Sequence, residues 1–165
     1  MPAAGSVPPA AALAVLLAAG CAVHSAPAAV APIPVAERAV SIFLIGDAGK
    51  SEPAGDIVLR ALAREATSAP RGSAIVFLGD NLYPRGLPIP EDPERVEMER
   101  RLDAQIEVAR QSGIRAVFVP GNHDWAREGT DGWNSVRRAE ALIRQNGKGL
   151  AVQLPANGCP GPEVV

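Results

Sequence analysis

Asp47, Asp80 and Asn122 each follow a glycine at the end of an apolar run: Ser-Ile-Phe-Leu-Ile-Gly46-Asp47, Ala-Ile-Val-Phe-Leu-Gly79-Asp80-Asn81 and Ala-Val-Phe-Val-Pro-Gly121-Asn122-His123-Asp124. Any one Asp or Asn in such a place reads as a turn residue. Three of them at three similar endings point instead to one shared polar site. With Tyr83 and His123 beside them, the donors are hard oxygens plus an imidazole, a set that suits manganese, iron or zinc better than copper or a thiolate cluster. Two such ions about 3.5 to 4 Å apart, sharing a carboxylate, would clamp the attacking and leaving oxygens of an in-line phosphoryl displacement. Asp80, central in the series, is the natural bridge.

Convergence of this kind requires strands that end side by side. The chain alternates strand-like runs at about 40–45, 74–78 and 115–119 with helical patterns at about 55–67, 93–111 and 134–145. The second helix has Pro93 suited to its first turn, Met98, Leu102, Ile106 and Ala109 on one face, and Gly113 where a C-terminal cap belongs. The runs are nearly continuous rather than alternating, the pattern of parallel strands buried on both faces. Separations of 33 residues from Asp47 to Asp80 and 42 from Asp80 to Asn122 leave room for a crossover helix each time. In such sheets ligands bind beyond the carboxyl ends of the strands, where all three motifs lie. Gly49-Lys50-Ser51 is no phosphate-binding P-loop, because that motif needs glycine where Leu44 stands. Arg85 and Arg127 adjoin two of the motifs but read first as solvated loop arginines, Arg137-Arg138 as a helix surface pair, and Trp125 and Trp133 as packing anchors.

The motifs Gly46-Asp47-Ala48-Gly49, Gly79-Asp80-Asn81-Leu82-Tyr83 and Gly121-Asn122-His123-Asp124 resemble the first three of the calcineurin-like metallophosphoesterases. Gly49 at the third position of the first motif, with Tyr83 in the second, resembles the purple acid phosphatase variety, which has glycine there and supplies a tyrosine instead. The resemblance implies an α/β fold, the amino-terminal part of an αββα sandwich with mostly parallel buried strands. It implies two di- or trivalent transition metals, iron paired with iron, zinc or manganese: Asp47, Asp80 and Tyr83 at the first, Asp80 and Asn122 at the second. A metal-bound hydroxide would attack a small phosphate ester, His123 would protonate the leaving alkoxide, and Asp124 would orient the His123 ring. The family completes its site with Val-x-x-His and Gly-His-x-His segments, whereas this chain has only His24 and His123. The expectation is therefore an amino-terminal portion of a phosphoesterase, with an open apolar sheet. The alternative is a non-catalytic exported lipoprotein that keeps the fold as a binding module.

The remaining sequence bounds the setting. One domain with a modest core fits 165 residues, and a net charge of −2 without a basic stripe argues against nucleic acid as a partner. Residues 1–20 read as a signal peptide whose ending, Leu17-Ala18-Ala19-Gly20-Cys21, resembles a bacterial lipobox. An Ala/Pro-rich tether over 21–38 would then lead from a lipid anchor at Cys21 to a domain spanning 39–165. The protein would be exported and held at a bacterial membrane, in the periplasm or at the cell surface, touching lipid only through that anchor. Two cysteines, Cys21 and Cys159, are too few for a disulfide framework.

Overall fold

The computed structural model describes residues 39–50 and 56–158. The leader, the tether with Cys21 and His24, Ser51 and Cys159 lie outside the described residues. Four parallel strands, β1 (Ile42–Ile45), β2 (Ala74–Phe77), β3 (Arg115–Phe118) and β4 (Ala151–Gln153), form one sheet in the order β1-β2-β3-β4. Between them run three helices, α1 (Ile57–Thr67), α2 (Arg95–Ser112) and α3 (Gly132–Gly147). Three strands and three helices fall where the sequence pattern puts them, within a few residues. Pro93 is the exception in detail, lying just before the Glu94 cap instead of inside the first turn of α2. β4 was not anticipated, because three residues, Ala-Val-Gln, are too few to carry a period.

Strand order explains the layering. Each crossover steps to the next strand in the same direction, and crossovers of one hand then place every helix on the same side of the sheet. Phe43, Ile45, Ile75, Phe77, Ala116, Phe118 and Ala151 face that side, and the paired residues Phe77 and Phe118 stack with ring centroids 4.4 Å apart. From α2, Met98, Leu102, Ile106 and Ala109 pack into the same core, as the spacing predicts. The opposite face is the open apolar one that the resemblance implies, not the second buried face that the continuous runs suggest. Among the described residues nothing covers it, so Ile42 is 66% and Leu44 64% exposed. A continuous apolar run suits a strand with two apolar faces, whether or not both are covered.

Two helix ends are fastened by conventional caps. Asp56 caps α1, its carboxylate accepting from the amides of Val58 at 2.7 Å and Leu59 at 3.0 Å. Gly113 ends α2 with a left-handed φ of 69° and donates to the Ala109 carbonyl.

Candidate metal centre

At the carboxyl edge of the sheet, the loops after β1 and β2 are tied to each other through their main chains, and the loop after β3 is joined to the β2 loop through side chains. The Asp47 amide donates to the Gly79 carbonyl at 3.1 Å, and the Gly49 amide to the Asp80 carbonyl at 3.0 Å. Both Asp47 and Asp80 adopt left-handed backbone conformations, φ 57° and 53°, which non-glycine residues hold only where surroundings enforce them. Two glycines permit the close approach. A Cβ on Gly49 would stand 2.5 Å from the Asn81 carbonyl carbon, and one on Gly121 would stand 2.3 Å from Asp80 Oδ1. Gly49 therefore has a packing reason here, independent of any ligand pattern.

The side chains then meet. The Tyr83 hydroxyl donates to Asp47 Oδ1 and, at 3.0 Å, lies within bonding reach of Asp80 Oδ2. The Asp47 bond, followed by burial and the Asp80 bond, holds the phenol well above its ordinary pKa. Asp80 Oδ1 accepts from the His123 amide at 3.1 Å. The His123 ring lies against Tyr83, centroids 4.1 Å apart, and its Nδ1 is 2.8 Å from the Pro84 carbonyl. A carbonyl can only accept, so Nδ1 carries a proton in either charge state and Nε2 is the nitrogen that gains or releases one. Asn122 is exposed on the same edge.

Asp124 does not orient that ring. Its carboxylate is buried and accepts from the Gly121 amide at 2.8 Å, the Asn81 amide at 3.0 Å, Asn81 Nδ2 at 3.1 Å and the Leu82 amide at 3.0 Å. Asp124 thus staples the β3 loop to the β2 loop, and Pro84 takes over the ring. Burial pushes its carboxyl up to about 6, with the amides of Gly121, Asn81 and Leu82 pulling the other way.

The flanking residues divide. Arg85 pairs with Glu94 at 3.3 Å, both exposed, so the charge beside the second motif is engaged elsewhere. Arg127 is exposed, with φ 52°, and its amide donates to the Asn122 carbonyl at 2.9 Å. Arg138 is half-buried instead of lying on the surface, holding the Leu87 carbonyl at 2.8 Å and the Asp131 carboxylate. Trp125 and Trp133 pack together, as expected of loop anchors, with centroids 5.9 Å apart. Sequence reading missed Asn81, whose Nδ2 also holds the Val119 carbonyl at 2.8 Å, and Gln105, which is fully buried and donates to the Asn81 carbonyl at 2.8 Å. The available signal was a glutamine on the Met98, Leu102 and Ala109 stripe of α2.

These donors fit a hard cation. Two carboxylates and a phenol oxygen gather at one point, where a single proton of Tyr83 now mediates between them. Such a concentration of acceptors favours positive charge. Among the described residues no group of three or more His, Cys, Asp or Glu side chains is placed to hold a metal, and the third oxygen gathered with Asp47 and Asp80 is that of Tyr83.

No curated protein matches the chain. The family model described as calcineurin-like phosphoesterase matches residues 40–156, well over half of the sequence, and that span contains β1 to β4, α1 to α3 and the loops that carry Asp47, Asp80 and Asn122. The chain belongs to the calcineurin-like phosphoesterases.

Proposed function

We propose that the protein is a binuclear-metal phosphoesterase of the purple acid phosphatase type, hydrolysing small phosphate esters. The convergence of Asp47 and Asp80 on the Tyr83 hydroxyl carries the reading. Asp47, Asp80 and Tyr83 would hold the first ion, a hard one such as ferric iron, and Asp80 with Asn122 the second, iron, zinc or manganese. When bound, the pair supplies Lewis-acid polarisation of the phosphoryl oxygens and a nucleophile at neutral pH.

The chain's own residues do the rest. Asp80, fixed in its left-handed conformation and bonded through Oδ1 to the His123 amide, keeps the two ligand sets in register. Asp124 locks the β2 and β3 loops from below, so Asp80 and Asn122 cannot drift apart. His123, its Nδ1 committed to Pro84, would donate from protonated Nε2 to the leaving alkoxide. Family membership does not favour the non-catalytic alternative.

The proton-donor role has a specific consequence. His123→Ala should slow hydrolysis of alkyl phosphates by about 10²- to 10⁴-fold, the usual contribution of a general acid, and slow p-nitrophenyl phosphate far less, since that leaving group needs no proton. Steady-state kcat/KM across a series of leaving groups measures the difference; an equal loss on every ester would remove His123 from the acid role. The lipobox resemblance extends the proposal to an exported, membrane-anchored enzyme, and a Cys21→Ser chain that still sediments with membranes would remove the anchor from it.

A further inference from the structure

Arg101 and Gln105 stand about one turn apart on α2, and both reach the main chain of the site loops. Gln105 Nε2 donates to the Asn81 carbonyl at 2.8 Å and to the Arg101 carbonyl at 3.3 Å. Nη1 of Arg101 donates to the carbonyls of Gly49 at 3.4 Å and Tyr83 at 3.3 Å, while its Nε is held by Glu97 at 2.8 Å. One guanidinium nitrogen therefore bridges the loop that carries Asp47 and the loop that carries Tyr83. One turn on, an amide pins the residue that follows Asp80.

A glutamine at 0% exposure between apolar neighbours is otherwise a poor choice, because an unpartnered amide is costly to bury. The bond to Asn81 gives it a purpose there. Arginine at 101 likewise exceeds what an exposed helix face needs: its planar head offers two hydrogens on one nitrogen while a third, on Nε, keeps the ion pair with Glu97. Lysine, whose three hydrogens all leave one nitrogen on a shorter reach, does not reproduce the separate Nε and Nη1 contacts.

We propose that Arg101 and Gln105 are positioning residues for the metal centre, setting the spacing of Asp47, Asp80 and Tyr83 through the carbonyls of Gly49, Tyr83 and Asn81. The proposal rests on the reading of those three side chains as metal ligands. Residues that support ligands in this way are worth roughly 10- to 100-fold in metal affinity.

The test titrates ferric ion into the full chain and follows the visible phenolate-to-iron absorption of Tyr83, beside thermal unfolding of the metal-free protein. Wild type without the absorption would overturn the ligand reading itself, and this proposal with it. Given the absorption, Arg101→Met and Gln105→Met are each expected to weaken iron binding roughly 10- to 100-fold and to alter the band, with Arg101→Lys recovering only part. In a Tyr83→Phe background, with zinc in place of iron and affinity read by competition, the effect of Arg101→Met should shrink markedly. Gln105 is deep enough that its variant could misfold, but the Arg101 side chain is 20% exposed and its variant carries the test alone if need be. Unchanged affinity and band in folded Arg101→Met would overturn the proposal. So would an undiminished loss in the Tyr83→Phe background, which would mark Arg101 as merely structural.

Discussion

Asp80→Ala is expected to remove metal binding and phosphoesterase activity together. Asp80 faces both neighbouring groups of the site: one carboxylate oxygen lies within bonding reach of the Tyr83 hydroxyl at 3.0 Å and the other takes the His123 amide at 3.1 Å. In the proposed centre the same carboxylate would serve both ions, so alanine would delete a donor from each and leave a left-handed backbone without the contacts that enforce it. Since even a residue behind the ligands is worth roughly 10- to 100-fold in metal affinity, loss of a bridging ligand should exceed about 100-fold in kcat/KM. Metal content after dialysis and the rate on a chromogenic phosphate ester check it. Asp80→Asn, which preserves shape and loses charge, should fall almost as far. A variant with full metal content and full rate would refute the bridging role.

Asp124→Ala should be the largest single blow to stability. Three backbone amides, of Gly121, Asn81 and Leu82, and the Asn81 side chain end on that buried carboxylate. Removing it strands several buried donors at about 1 to 3 kcal/mol each, so a total loss of at least about 3 kcal/mol is expected. For a domain of this size that corresponds to a fall of roughly 10 °C in the unfolding midpoint. Asp124→Asn, with one acceptor oxygen and two hydrogens facing donors, should be only modestly better. Thermal and urea unfolding of the metal-free chain read the difference directly, apart from any catalytic effect. A midpoint within a degree or two of wild type would show that these amides find other partners.

The two expectations differ in how visible they were beforehand. Asp80 could be placed from sequence because a glycine and a liganding residue close an apolar run, and parallel strands bring such ends to one edge. Strand ends are legible when the run before them is continuous. β4 offered too short a run, and a continuous apolar run does not by itself say whether one face or both are covered. Asp124 was the harder case. The resemblance implied a contact between its side chain and the His123 ring, but successive residues in a tight turn point in different directions. The ring turned to Pro84 and the carboxylate turned inward to the β2 loop. Gln105 and Arg101 were hidden for a related reason: on a helix read for its apolar face and its Glu–Arg ladder, a polar residue aimed at main-chain carbonyls leaves little trace.

Gly49 shows how one residue can satisfy two constraints. Its place in the first motif resembles a family pattern in which a tyrosine elsewhere supplies the missing donor, and the structure adds that any Cβ there would collide with the Asn81 main chain. The same tightness brings Tyr83 over Asp47. Packing of the β1 and β2 loops thus gathers the oxygens of Asp47, Asp80 and Tyr83.

The visible absorption of the chain on addition of ferric ion tests the central claim most directly, that Tyr83 joins Asp47 and Asp80 as a metal-binding cluster. A phenolate-to-iron band that appears in wild type and is absent from both Tyr83→Phe and Asp80→Ala is the expected result. A folded wild-type chain that binds no iron, or a band that persists unchanged in Tyr83→Phe, would contradict it.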